Sequence, residues 1–260
     1  MRILVCVKSV PDPADDVSFS PEGTLVRTDT DGLLSELDTY ALEQALLLAG
    51  ELPDVIVSVL SVGPEGTDSA VRKALQMGAD EGVVVSDDAI AGSDVFGTAA
   101  VILAAARGLD DVGLVVCGMG STDSGTGVLP VLIADGLGWS LVSLAASVEV
   151  VTGGLRITRV DELGTRVAEA SLPAVLSVTD QSGEPRYPSF KDVLAAKKKT
   201  ILVKTLADLG VSPSDVGQGA ARVDVTSVVK NPERATGKVV VDAGGSSVSE
   251  LADFLEAAVR

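Results

Sequence analysis

Up to residue 139 the chain alternates short β-branched apolar runs with stretches of helical apolar spacing, and this alternation limits the fold more than any other feature. Residues 3–7 (ILVCV) read as a buried strand. Residues 39–49 (TYALEQALLLA) bring Tyr40, Leu42, Ala45, Leu46 and Ala49 on or near one helical face, with Asp38 before them as an N-cap. The pattern continues with strand 54–62, helix 65–77 stopped by Gly78, strand 82–85, an Ala-rich helix 94–107 and strand 112–117. A Gly/Ser/Thr loop and a helix from about 128 to 137 follow. Strands alternating with helices predict parallel βαβ units with right-handed crossovers, and hence an α/β fold around a doubly wound, mostly parallel sheet. With one Trp, two Tyr and four Phe, the core must be filled by Val, Leu, Ile and Ala.

The pattern changes after Trp139. Residues 143–150, 155–160, 165–171 and 174–179 read as strands without intervening helices, with turns at Gly153-Gly154 and Glu162-Leu163-Gly164. They predict an antiparallel addition that completes a first domain over 1–185. Beyond it Pro185, Pro188, Pro213, Pro232 and several glycines interrupt the chain. Short strands are expected at 201–204 and 223–229, and a helix at 248–259 capped by Ser246 or Ser247. A tail with so little core of its own is marginal alone, so 186–260 is expected to wrap around either this domain or a partner.

Composition removes several chemistries. The chain has no histidine, which excludes a Ser-His-Asp triad, a Cys-His dyad and a His-ligated zinc. Its two cysteines, Cys6 and Cys117, cannot make a four-Cys metal site, so no metal is expected. A net charge of −17 argues against nucleic-acid binding, which needs clustered Lys and Arg. The apolar run before Lys8 and Pro11 is too short for a signal peptide or a membrane span. These features predict a cytoplasmic chain that is not membrane-embedded, with both thiols free.

In an open parallel sheet, ligands bind beyond the carboxyl ends of the strands, at the switch in strand order. Cys6-Val7-Lys8, Ser61-Val62-Gly63-Pro64 and loop 118–127 lie at such ends. In the loop, Gly118, Gly120, Gly125 and Gly127 are interspersed with Ser121, Thr122, Ser124 and Thr126, and Asp123 is its one acid. Backbone N–H groups of such a loop and of the following helix can cradle a phosphate; a plain flexible turn is the alternative. The loop matches neither the P-loop nor the dinucleotide fingerprint. Lys8 can pair with a phosphate or with Asp12 or Asp15. Cys6 and Cys117 read as small buried residues, because no neighbouring base lowers their pKa.

In a second segment, 184–199 (EPRYPSFKDVLAAKKK), residues 186–199 set Arg186, Lys191, Lys197, Lys198 and Lys199 against Asp192 alone. Ser189 and Asp192 have N-cap and N3 spacing, so a short helix starts there with Phe190 at its first position. Phe190 is either an outward docking anchor beside a basic patch or a residue packed on its own domain, with the lysines as a solvated helix end.

Taken together, ILVCVKSVPD at 3–12, ALQMGAD at 74–80, GMGSTDSGTG at 118–127 leading without a gap to Trp139, LPAVLSVTD at 172–180 and the 184–199 segment resemble the β subunit of electron-transferring flavoproteins over essentially the whole length. The resemblance implies an adenine-nucleotide α-hydrolase-like fold and a heterodimer with an α subunit that holds most contacts to a redox-active FAD. It implies a structural AMP in this subunit and a C-terminal arm wrapping onto α. Electrons would come from acyl-CoA and other dehydrogenases, as in fatty acid β-oxidation, and pass to a membrane quinone oxidoreductase. By the same resemblance, AMP contacts fall on Cys6, the 35–38 segment with Ser35 and Asp38, Val62, and the loop through Val128 and Leu129. Docking falls on 187–195, with Tyr187, Phe190, Lys191, Val193 and Leu194, and Phe190 stands at the apolar anchor position.

This chain departs from the family pattern at three places. Ser35-Glu36-Leu37 stands where Asn-Pro-Phe is frequent, and Val128 replaces a loop Gln. The acid near the flavin is matched by Arg159 or shifts to Glu162. No catalytic acid or base is required of a carrier whose chemistry belongs to its flavin. The alternative is a stand-alone adenine-nucleotide-binding module of stress-protein type, which leaves the tail and the basic segment unexplained. An enzyme acting on adenylated substrates would need more than Asp123 near the loop.

Overall fold

The computed structural model describes residues 1–260 except 13, 15, 16, 22, 27–31, 230, 233–235, 238, 243 and 260. In chain order the elements are β1 (Arg2–Cys6), β2 (Ser9–Val10), β3 (Leu33–Leu34), α1 (Glu36–Glu51), β4 (Ile56–Val62), α2 (Asp68–Met77), β5 (Glu81–Val85), α3 (Val95–Arg107), β6 (Val112–Gly118) and α4 (Leu129–Leu137). There follow β7 (Ser140–Ala145), β8 (Ser147–Val151), β9 (Gly154–Asp161), β10 (Gly164–Ser171), β11 (Ala174–Val178), α5 (Phe190–Ala196), β12 (Ile201–Lys204), α6 (Leu206–Leu209) and α7 (Ser246–Val259).

Seven strands form one parallel sheet in the order β12-β5-β4-β1-β6-β11-β7. From β1 the chain steps outward to β4 and β5, then crosses back through α3 to β6 on the other side of β1. The order therefore reverses between β1 and β6, and that is the switch point. Val, Leu, Ile and Ala dominate both core layers. One joins alternate strand residues such as Ile3, Val5, Leu114 and Leu176 to Leu42 and Ala45 of α1 and Val71 and Leu75 of α2. The other joins Leu4, Cys6, Val115 and Cys117 to Val101 and Ile102 of α3 and Ile133 of α4.

The expected doubly wound sheet, antiparallel addition and α/β class are present. The strands after Trp139 divide differently from their sequence reading. The run 143–150 breaks at Ala146 into β7 and β8, with Leu144 just before the break at positive φ. β8, β9 and β10 form a separate antiparallel sheet, while β7 and β11 join the parallel one. The β8–β10 meander takes the place of a crossover helix, which lets β11 re-enter parallel between β6 and β7. Sequence periodicity reports strand but not pairing direction.

Residues 223–229 form no strand. β12 extends the sheet beside β5, and the first compact unit runs Met1–Thr226, beyond the expected limit at 185. Its last part is tied down by Asp94, which caps α3 through the N–H groups of Phe96 and Gly97 and also accepts those of Arg222 and Val223. The second unit, Ser227–Arg260, contains α7, which begins at Ser246. Ahead of that helix Asp242 Oδ1 accepts from Gly245 N–H and Ser247 Oγ.

Candidate functional site

At the switch point, the end of β1 is gripped by the start of α1. Ser35 N–H donates to the Lys8 carbonyl at 2.9 Å, and Lys8 N–H donates to Asp38 Oδ2 at 2.8 Å. Asp38 is therefore not the N-cap of α1. The helix starts at Glu36 with Ser35 in the cap position, and Asp38 turns its carboxylate to the strand end instead. Burial pushes the Asp38 carboxyl up to about 8; the Lys8 N–H and the Lys8 charge pull against this, and Asp123 adds to it. Gly118 ends β6 directly beneath: a Cβ there would lie 2.7 Å from the Leu37 carbonyl oxygen. Only glycine lets α1 come this close.

The glycine-rich loop folds over the same strand end. Lys8 Nζ reaches Asp123 Oδ1 at 2.8 Å, with Ser124 Oγ at 3.4 Å and Ser121 Oγ at 3.5 Å. Lys8 thus pairs with an acid 115 residues away; of the two acids expected near it, Asp15 lies outside the described residues. Ser121 and Ser124 bond each other at 2.8 Å, Thr126 Oγ1 donates to Ser124 Oγ, and Gly125 N–H closes a turn onto the Ser121 carbonyl. Gly125 and Gly127 have positive φ, and Gly120 lies against Gly125. Thr122 and Val128 are exposed, and Leu129 opens α4, whose N-terminus has no side-chain cap.

Cys6 and Cys117 are buried free thiols beneath this region, in the core layer facing α3 and α4. A hydrogen bond with Cys6, burial, and the Cys6 and Asp38 charges push the Cys117 thiol well up, which is the opposite of a nucleophile. Val62 stands apart from the loop, at the end of β4 on the far side of β1.

The basic segment divides into anchored and free cations. Arg186 is clamped to Glu43 of α1 and Lys199 donates to carbonyls at the end of α2, whereas Lys191, Lys197 and Lys198 are exposed. The Ser189–Asp192 capping box forms as expected. Tyr187 is 95 % and Phe190 80 % exposed, so Phe190 does not pack on its own domain. Leu194 is exposed and Val193 half-buried. At the open flavin-acid position, Arg159 pairs with Asp161 and Glu162 is exposed in the β9–β10 turn.

Sequence reasoning missed Glu43, Gln44 and Arg72. Glu43 and Gln44 are buried polar residues inside an otherwise apolar helix face, a signal visible in TYALEQALLLA. Burial lifts the Glu43 carboxyl, but the Arg186 hydrogen bonds and charge outweigh it and hold its pKa below the ordinary value.

Fold and site define a doubly wound α/β protein with a glycine-rich loop folded over its switch point. The family model described as the electron transfer flavoprotein domain matches residues 22–209. The chain is 38% identical over 248 residues to the electron transfer flavoprotein subunit beta of Mycobacterium tuberculosis (strain H37Rv), covering 94% of this chain and 93% of that one. It is 37% identical over 261 residues to the Mycobacterium leprae subunit, covering 98% of each chain. It is also 32% identical over 256 residues to the caffeyl-CoA reductase-Etf complex subunit CarD of Acetobacterium woodii, covering 98% of this chain and 96% of that one. The chain belongs to the electron transfer flavoprotein β-subunit family.

Proposed function

We propose that this chain is the β subunit of a heterodimeric electron-transferring flavoprotein, with a structural AMP in the crevice between β1 and β6 and an FAD held mainly by the α subunit. The FAD supplies the redox chemistry; this chain supplies docking, distance and charge. Lys8, the Ser121 and Ser124 hydroxyls and the backbone at the start of α4 would hold the phosphate. The fit is supported by the Ser35 hydroxyl, which is buried beside the crevice without a hydrogen-bond partner among the described residues. Gly118, Gly120, Thr122, Asp123, Gly125, Thr126, Gly127, Val128 and Leu129 shape the loop, Asp38 sets it against α1, and Cys6 and Val62 line the neighbouring strand ends. Electrons come from acyl-CoA and other dehydrogenases and leave to a membrane quinone oxidoreductase, in the cytoplasm and in service of fatty acid β-oxidation.

The observation that carries this reading is the exposed pair Tyr187 and Phe190, flanked by Lys191, Lys197 and Lys198 in a chain of charge −17. Exposed aromatics beside a local cationic patch suit a partner protein whose apolar pocket has an acidic rim. Within Ser227–Arg260, the exposed Val248, Leu251, Phe254 and Leu255 of α7 suit an arm that is covered by the α subunit.

Copurification from the native organism tests this, with a visible spectrum and chromatography of the nucleotides released on denaturation. A yellow complex with a second chain, one FAD and one AMP is the expected result. Two FAD and no AMP would keep the family and overturn the structural role of the nucleotide. A colourless chain without a partner would refute the carrier reading in favour of a stand-alone nucleotide-binding module.

A further inference from the structure

Tyr187, Phe190 and Leu194 stand on a segment too short to hold its own shape. α5 has seven residues, and isolated helices need about 12–15 to be even marginal in water. Within α5, Ala196 is the residue fully buried in the core.

Ties from two other helices make up the deficit. In front, Arg186 Nε and Nη2 meet Glu43 Oε2 and Oε1 at 2.7 and 2.8 Å, and Arg186 N–H donates to Oε2 at 3.1 Å. Glu43 is 7 % exposed, so the fork is seated on a buried carboxylate of α1. Gln44 Nε2, next along α1, donates to the Ser182 carbonyl at 2.7 Å. Behind, Arg72 of α2 donates to the carbonyls of Ala196 and Lys199 at 2.9 and 3.0 Å, at and just past the end of α5. Lys199 Nζ in return donates to the carbonyls of Leu75 and Ala79 at 3.3 and 2.6 Å, at and just past the end of α2. Each helix thus has the orphan carbonyls of its last turn met by a cation from the other's side, where the dipole also favours positive charge.

We propose that Glu43 and Arg72 are positioning residues of the docking surface, holding 186–199 in one conformation before any partner arrives. Neither reaches a partner itself: Glu43 acts through Arg186, and Arg72 through the end of α5. Ordering the segment in advance removes an entropy cost that the encounter would otherwise bear. The proposal rests on the reading that Tyr187 and Phe190 dock a donor dehydrogenase.

The test uses the complete flavoprotein complex carrying Glu43→Gln, and separately Arg72→Gln. One measurement is the trypsin cleavage rate after Lys191, Lys197 and Lys198, followed by mass spectrometry. The other is the KM and kcat of electron uptake from several donors, with flavin absorbance as the control for assembly. Both variants are expected to speed cleavage about tenfold and raise donor KM about tenfold, with the saturating rate within about twofold of the parent; tenfold corresponds to about 1.4 kcal/mol. The exchanged pair Glu43→Arg with Arg186→Glu is expected to restore part of both losses. Unchanged cleavage in both variants overturns the positioning role. Faster cleavage with unchanged KM also overturns the proposal, and Phe190→Ala then separates the causes. A raised KM for Phe190→Ala means docking is sound and positioning irrelevant; an unchanged KM means the docking reading itself has failed.

Discussion

Gly118→Ala probes whether the close approach of α1 to the end of β6 builds the candidate site. An ideal Cβ at 118 lies 2.7 Å from the Leu37 carbonyl oxygen and 2.9 Å from both the Leu37 carbonyl carbon and Asp38 Oδ1. All three distances are shorter than Cβ atoms tolerate, and two of the three atoms are backbone, with no rotamer to give way. The first turn of α1 must therefore retreat by roughly half an ångström. That retreat stretches the Lys8 N–H bond to Asp38 and the Ser35 N–H bond to the Lys8 carbonyl, 2.8 and 2.9 Å in the parent. Overpacking of this kind costs about 1–3 kcal/mol. Against it stands a gain of about 0.4–1 kcal/mol, because alanine restricts the unfolded chain. The expected net loss is about 1–2 kcal/mol, a fall in Tm of roughly 2–8 °C for a chain of this length. Urea titration and thermal melting by circular dichroism measure it. Gly120→Ala is the matched control: its nearest neighbour would be Gly125 Cα at 3.6 Å, an ordinary contact, so stability should stay within about 0.5 kcal/mol. If Gly118→Ala is as stable as the parent or more so, α1 is not wedged against β6 and the account of the crevice is wrong.

Asp38 makes stability depend on pH. Its carboxyl keeps a proton up to about pH 8 in the folded chain, whereas an unfolded aspartate ionises near 4, so its contribution is full below about pH 4 and is lost as pH rises toward 8. Asp38→Asn, which retains an acceptor for the Lys8 N–H, should flatten that decline by an amount on the order of a few kcal/mol in urea titrations from pH 5 to 8; a parallel decline in parent and variant would show that Asp38 is not the group responsible. Lys8→Gln removes the Lys8 charge from the nearly buried Asp123 and should cost about 1 kcal/mol, much of it recovered when Asp123→Asn is added. A double-mutant cycle in urea decides: independent, additive losses would mean that the pair does not hold the loop.

Features whose cause lies within a few residues were legible in the sequence. The stop at Gly78 and the Ser189–Asp192 capping box each depend on neighbours along the chain, and each stands where the residues put it. The glycine spacing of 118–127 announced a loop at a strand end for the same reason. Asp38 marks where this reasoning stops. It has every local mark of an N-cap, but the end of β1, 30 residues earlier, offers its N–H to the carboxylate, and that tertiary bond outweighs the local preference.

By itself, then, the sequence determined the alternation of strand and helix, the aliphatic core, the glycine-rich loop and the Ser189–Asp192 capping box, because periodicity and turn chemistry act over a few residues. Only the tertiary structure decided that β11 runs parallel between β6 and β7, that Lys8 closes on Asp123, and that Arg186 seats on Glu43. These contacts join residues far apart in the chain. An ion pair or a strand register across such a distance does not name its partner in either stretch alone, and it exists only once the fold brings the two together.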